Sequence, residues 1–407
     1  MPTMRAIYQG RILTFSQGFR FLGAAVIFFL LAGCGGGTED RKSAPYRDPG
    51  NKPPQVRELL NQYMPEQMTD GIVKVAIIRN FAVGDHTRQF LEGCVTEGRS
   101  MGFIVDTFIT AGDNELCRKL IARISRADYD GLILFHGDAD FTYDALKPAV
   151  YKPMKVVTFD ALPYKNGDPA QEILPGVTST AQDDVKLAQS SLNAILSLSA
   201  DPPARVIRAW SGPGIPPLDR RLSIYNEFVQ QGRIEEAAWI YPRDFAFSRS
   251  GVREALSAIL PEIPEGSVDA IWASYDEFAK GCIDALEDAG RQDIKMVSID
   301  ISNDDIKLML EHPDLWIATV AVDPRFIGIV NMRLLAAKFA REATPETYIF
   351  TPQTVNTTVL TNRLNMANIA GTVEDWGREQ GIFDGYLWMA ALKTAVKTYI
   401  RLPERDE

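Results

Sequence analysis

The chain is poor in the residues that carry most metal and hydrolytic chemistry. Only three His occur in 407 residues, His86, His136 and His312, and no two are spaced to share a metal ion. The four Cys follow no zinc spacing. There is no Gly-x-Ser-x-Gly elbow and no phosphate-cradling loop. The glycine-rich stretch Trp210-Ser211-Gly212-Pro213-Gly214 is broken by Pro213 and lacks a Lys, so it reads as a turn. Neither catalysis, a metal nor a cofactor is expected. Cations are in the minority as well, 43 Lys and Arg against 53 Asp and Glu, for a net charge of -10. Nucleic acid is therefore not an expected partner, because phosphate-backbone binding needs a basic surface.

The N-terminus is what the sequence has in their place. Arg5, Arg11 and Arg20 precede an apolar run at 21–31, too short to span a bilayer comfortably, which reads as the hydrophobic part of an export signal. It ends in Leu31-Ala32-Gly33-Cys34, which resembles a bacterial lipobox. That resemblance implies a signal peptide over 1–33, lipid on Cys34, and an extracytoplasmic protein held at a membrane. Residues 35–54 are rich in Gly, Pro and charge and read as a tether, followed by a short amphipathic helix at 56–64. With Cys34 lipidated, Cys94, Cys117 and Cys282 remain, an odd number. Cys94 and Cys117 fall on consecutive crossover helices. If strand order reverses between those helices, they lie on opposite sheet faces, and buried thiols are expected.

From residue 73 onward, short apolar strands alternate with amphipathic helices. Strands are expected at 73–78, 103–108, 132–135 and 156–159. A second series starts after Gly176-Val177-Thr178, with a helix at 183–198 and strands at 206–210, 237–241, 270–272 and 296–299. This repetition predicts parallel sheets covered on both faces. The expected fold class is α/β, with two doubly wound lobes whose ligand lies at the carboxyl ends of the strands. A further strand at 316–321 and helix at 326–341 complete the regular pattern. A tail follows, with a strand at 355–360 and a helix carrying Tyr386, Leu387, Trp388 and Leu392 as a packing stripe.

Four segments carry a resemblance to a known family. They are Val156-Val157-Thr158-Phe159-Asp160, Arg220-Arg221-Leu222-Ser223-Ile224-Tyr225, Ala273-Ser274-Tyr275-Asp276-Glu277-Phe278-Ala279-Lys280-Gly281 and Met296-Val297-Ser298-Ile299-Asp300. In their order and spacing, residues 73–352 resemble the type I periplasmic sugar-binding proteins, the ribose-binding-like group. The resemblance implies lobes joined by a three-segment hinge, near 175–178, 322–324 and 350–352. Lobe 1 would then comprise 70–175 plus 323–350, and lobe 2 would comprise 176–322 plus 351–407, after a tether and short helix at 34–69.

A sugar presents neighbouring hydroxyls that carboxylates accept from in pairs, while a guanidinium donates as a fixed fork. The resemblance places Asp160 and Asp300 at strand ends facing ligand, with Arg221 near a helix start. It adds Asp276 and Tyr275, and one of Phe245 and Phe247 as an aromatic face for the ring. The first loop departs from the family, with Gly84-Asp85-His86-Thr87 where an aromatic pair is usual. Asp85 and His86 are candidates there, beside Asn80, and Asp138 after the third strand. Helix capping or turn formation is the competing role for each Asp. Ala161, Tyr275 and Val322 replace the Arg, Asn and Gln of ribose binders, which argues against ribose itself. The implied function is the substrate-binding lipoprotein of an ABC importer, monomeric, partnered by a permease. The alternative is a receptor subunit presenting its ligand to a sensor kinase or chemoreceptor. Repressors of similar fold carry an N-terminal DNA-binding motif where this chain has a segment that reads as an export leader.

Overall fold

The computed structural model describes residues 52–64, 72–80, 84–150, 153–168, 170–199, 202–212, 214–377, 383 and 385–400. It also describes a short antiparallel pair, β1 (Ala6–Tyr8) and β2 (Arg11–Leu13), within a separate unit of residues 1–43. Cys34 and the apolar run 21–31 lie outside the described residues, so the lipid-anchor expectation is not addressed by them. No helix among the described residues is long and apolar enough to cross a membrane.

The rest of the chain builds two six-stranded sheets. The first joins β3 (Lys74–Arg79), β4 (Ile104–Ile109), β5 (Gly131–Phe135), β6 (Lys155–Phe159), β7 (Val177–Gln182) and β13 (Thr347–Phe350) in the order 4-3-5-6-7-13, every neighbour parallel. The second joins β8 (Ala204–Ala209), β9 (Ile234–Ile240), β10 (Ala270–Ala273), β11 (Lys295–Ile299) and β12 (Trp316–Ala321) in parallel, with β14 (Gln353–Asn356) antiparallel on the β12 edge. Helices α2 (Gly84–Ser100), α3 (Asn114–Ile124), α4 (Ala139–Val150) and α10 (Pro324–Phe339) cover the first sheet. The second is covered by α5 (Asp184–Leu196), α6 (Pro216–Gln230), α7 (Ser248–Ile259), α8 (Asp276–Asp288) and α9 (Asn303–Glu311). The two terminal helices are α1 (Pro54–Tyr63) and α11 (Leu387–Tyr399).

Strand β3 shows why its residues are apolar on both sides. Val75 and Ile77 enter one core while Ala76 and Ile78 enter the core on the other face. The chain steps from β3 outward to β4 and then back past β3 to β5. With right-handed crossovers, that reversal puts α2 and α3 on opposite faces. Cys94 on α2 and Cys117 on α3 therefore lie in different cores, and both are buried and unbridged, as is Cys282. Helices α2 and α10 cross so closely that a Cβ on Gly93 would lie 2.0 Å from the Arg325 carbonyl oxygen, and one on Gly328 would lie 2.2 Å from that of Phe90. Only glycine fits either position.

The lobe boundaries differ from the expected ones. Residues 177–182, expected beyond the first crossover, form β7 of the first sheet, so the chain passes between lobes at Asp183. The segment is hard to see as a strand because its buried faces carry hydroxyls. Ser179 meets Thr158 at 3.0 Å, and Thr180 bonds the Thr158 carbonyl and Asn331, each at 3.0 Å. These bonds satisfy polar groups that would otherwise be costly to bury. The tail is split as well. Residues Leu360, Met366, Ile369 and Trp376 pack on the second lobe, but α11 returns to the first, inserting Trp388, Leu392 and Val396 beside Val56 and Leu60 of α1. The rings of Tyr63 and Trp388 sit 5.8 Å apart. The short helix expected as part of a tether is thus in the first lobe's core, and the described residues alternate between the lobes in an order that takes four crossings rather than three. Of the strand expected at 355–360, only its start forms, before a 3-10 turn at Thr357–Val359.

Candidate functional site

The lobes meet through residues at the carboxyl ends of their strands. Gln182, ending β7, donates from Nε2 to Asp300 Oδ1 at 3.4 Å, just past β11. A Cβ on Gly137, just past β5, would lie 2.9 Å from Pro217 at the start of α6. One on Gly84 would lie 2.5 Å from Glu277 Oε1 of α8. Asp85 accepts from the backbone N–H of Asn303 at 3.0 Å.

Asp160 and Asp300 occupy matching places, each directly after the fourth strand from the outer edge of its sheet. Both adopt left-handed backbone, φ 65° and 73°, a conformation that few residues with a Cβ take and that Asp tolerates better than most. Each keeps its N–H in the ladder, Asp160 to the Thr180 carbonyl and Asp300 to that of Val320. Their side chains are thereby turned off the sheet while the backbone stays anchored.

Arg221 is the hub of the cluster and is almost wholly buried. It donates from Nε to Asp184 at 2.9 Å and from Nη1 to Asp300 at 2.9 Å and to the Ser274 carbonyl at 2.8 Å. Asp183 serves as the N-cap of α5, which leaves Asp184 available to Arg220 and Arg221. Burial would raise the Asp300 pKa, but Arg221, His86 and the hydrogen bonds outweigh it and hold the carboxyl below its usual range. Asp160 goes the other way. Burial, reinforced by Asp184 and only partly opposed by Arg220 and Arg221, pushes it up to about 7. Burial pulls His86 down to about 4, so its ring is neutral at physiological pH. Arg79, ending β3, lies over the Phe135 ring at 3.9 Å and feels Tyr275, Asp160 and Asp300.

Several buried polar atoms here have no hydrogen-bond partner among the described residues: Asp160 Oδ1, His86 Nε2, Gln182 Oε1 and Ser274 Oγ. They come from both lobes and mix acceptors with groups able to donate, which is the complement of a molecule rich in hydroxyls. A groove of about 840 Å³ opens elsewhere, between Gln89, Glu92 and Arg325 on one lobe and Asn303, Lys307 and Met366 on the other. It contains none of Asp160, Arg221 and Asp300. The buried cluster is the stronger candidate site, because enclosed polar atoms without partners cost free energy that a ligand would recover.

The remaining expected residues divide. Tyr275 is half-buried and stacks on Phe245 at 5.7 Å, with Phe278 edge-on to both. Phe247 is 66% exposed, so Phe245 is the aromatic of that loop turned inward. Asp276 accepts from the Glu277 N–H and lies 3.8 Å from Lys280, in a buried group with Glu277 and Asp305. Asn80 is buried, and its side chain is bonded to Thr110 at 2.5 Å and Asn114 at 3.1 Å. Asp138 caps α4 through the Phe141 N–H at 2.9 Å, the turn role that competed with ligand contact. Asp85 is occupied by Gln89, Arg88 and the Asn303 N–H. Sequence reading missed Arg79, Gln182, Asp184 and Ser274. A lone cation closing the apolar run Val75-Ala76-Ile77-Ile78 was a signal for Arg79; Gln182 was hidden because β7 itself was not recognised.

Two doubly wound lobes whose strand ends meet over a buried polar cluster define a class: two-lobed α/β proteins with a candidate small-molecule site between the lobes. Residues 75–342 match the family described as periplasmic binding protein domain, and the chain belongs to that family. Its members are substrate-binding proteins of ABC transporters, not enzymes. The chain is similar to a sugar ABC transporter structure from Yersinia enterocolitica subsp. enterocolitica 8081, at 32% identity over 83% of this chain and 97% of that one, with TM-score 0.73. It is also similar to the 5-methylthioribose transporter solute-binding protein from Thermotoga lettingae TMO, solved with 5-methylthioribose, at 25% identity over 79% and 97% of the two chains, with TM-score 0.68. A Mycobacterium smegmatis structure in complex with beta-D-fucofuranose shares the fold at 18% identity, covering 79% of this chain and 98% of that one, with TM-score 0.60. No curated protein matches the chain.

Proposed function

We propose that this protein is the solute-receiving lipoprotein of an ABC importer, held at the membrane through Cys34, and that it closes its lobes on a monosaccharide or a close derivative. The observation that carries this reading is the pairing of Asp160 and Asp300 at equivalent strand ends around Arg221, with acceptor and donor atoms left unspent between them. Asp160 and His86 act from one lobe. Asp300, Arg221 and Ser274 act from the other, with Phe245 and Tyr275 offering a flat face to the ring. Missing contacts from Ala161 and Val322 favour a sugar other than ribose. The 5-methylthioribose held by one relative is a sugar with an apolar substituent, which the Phe245–Tyr275 stack suits.

A thermal-shift panel tests the reading, with pentoses, hexoses, polyols, nucleosides and 5-methylthioribose as probes. A true ligand at a hundredfold excess over its dissociation constant adds about 2.7 kcal/mol of apparent stability. No stabilisation by any sugar or sugar derivative would reject the monosaccharide reading. For the anchor, Cys34→Ser should leave the protein unprocessed or release it from the membrane fraction. Unchanged processing and fractionation would reject lipidation.

A further inference from the structure

Asp85 sits at the second residue of α2 in the first lobe, 5% exposed. Its Oδ2 receives two hydrogen bonds, one from Gln89 Nε2 of its own helix at 2.6 Å and one from the backbone N–H of Asn303 at 3.0 Å. Asn303 is the first residue of α9 in the second lobe, after the N-cap Ser302. The carboxylate therefore spans the gap and lies against the positive end of the partner lobe's helix dipole. Next to it, Gly84 (φ 84°) lets the lobes approach until Glu277 occupies the space a Cβ would need. Asn303 in turn accepts through Oδ1 from the Met366 N–H at 2.9 Å, which ties the latch to the tail segment that follows β14.

We propose that Asp85 is a closure latch: it holds the lobes together through the Asn303 N–H and does not touch the ligand. All of its acceptor capacity that the structure accounts for is used by Gln89, Arg88 and Asn303. A charged hydrogen bond that exists only when the lobes meet shifts the open–closed equilibrium toward closure whatever solute is present. The ligand's own contacts then have less closing to do, and affinity rises by the fraction of molecules already closed. The inference rests on the lobes acting as a clamp but not on the ligand being a sugar.

The decisive variant removes the N–H without disturbing Asp85. Position 303 is the first of its helix, where proline is well accommodated, and Ser302 (φ -146°, ψ 179°) already has the extended backbone that a residue before proline prefers. Asn303→Pro deletes the donor and the Oδ1 bond to Met366; Asn303→Ala deletes only the latter. Spin labels at Lys119→Cys on α3 and Glu287→Cys on α8, whose native side chains are 70% and 64% exposed, report the distance between lobes. In buffer with no added solute, the wild-type protein should show a population at the distance of the arrangement described here. The closed-to-open ratio should fall about tenfold in Asn303→Pro and in Asp85→Ala, and stay near wild type in Asn303→Ala. In an Asp85→Ala background, Asn303→Pro should change nothing further, because the bond is already gone. A wild-type protein with no closed population, equal behaviour of Asn303→Pro and Asn303→Ala, or additive effects of Asp85→Ala and Asn303→Pro would each overturn the latch. None of these outcomes depends on which sugar, if any, the panel identifies.

Discussion

Truncating Arg221 should expose how much the cluster contributes to stability as well as to binding. The wild-type side chain bonds Asp184, Asp300 and the Ser274 carbonyl from a fully buried position. Arg221→Ala leaves Asp300 with only the long contact from Gln182, and Asp184 with Arg220. Removing one partner of a buried ion pair costs about 3–5 kcal/mol, because a charge stays behind without compensation. For a cooperative unit of 150–250 residues that is a fall in Tm of roughly 6–20 °C. The pH dependence identifies the cause. Asp300 in the folded protein titrates below its unfolded value, so its pairing adds stability above about pH 4 that is lost as pH falls through the folded pKa. Without Arg221 the burial contribution dominates and raises the Asp300 pKa. The penalty is then greatest at neutral pH and is relieved on acidification. Thermal melts of both proteins between pH 8 and pH 5 should therefore converge toward the acid end. An unchanged Tm, or a gap of constant size across that range, would refute the argument that an uncompensated buried carboxylate is responsible.

Asp160 provides the opposite case. Its folded pKa of about 7 lies above the unfolded value, so its charge opposes folding above pH 7, and the cost disappears as pH falls below the unfolded pKa. Asp160→Asn should raise Tm at pH 8, by an amount that vanishes near pH 4, while weakening binding of whichever sugar the panel finds; a lower Tm at pH 8 contradicts the assignment. Phe245→Ala should reduce ligand-induced stabilisation through loss of the Tyr275 stack, whereas Phe247→Ala, at an exposed side chain, should leave it within error. Equal losses in the two variants would show that the loop, not the Phe245 ring, matters.

Much of this architecture was legible because it is written in local pattern. Apolar strands such as Ile77-Ile78 and Val156-Val157 are buried on both faces, and amphipathic helices separate them, so an α/β fold of two lobes follows from periodicity alone. Asp160 and Asp300 were candidates because they close strands, whose ends mark the cleft in such folds, while Arg221, inside α6, was a candidate only through the family resemblance. The exceptions have two causes. β7 is buried through paired hydroxyls instead of hydrocarbon, so its pattern looks like a loop. Asp138 and Asp85 look like ligand carboxylates in one dimension, yet one caps a helix and the other reaches across the cleft.

Chain order and side-chain type thus determined the sheet-forming segments and the positions at which a polar residue would end a strand, because backbone geometry and burial on two faces are properties of a few neighbours. Which lobe takes α11, which Phe turns inward, and which acidic groups remain unspent for a ligand were decided only by packing. Those outcomes depend on partners tens to hundreds of residues away, such as Asp300 for Arg221 and Asn303 for Asp85, and no short window of sequence contains both members of such a pair.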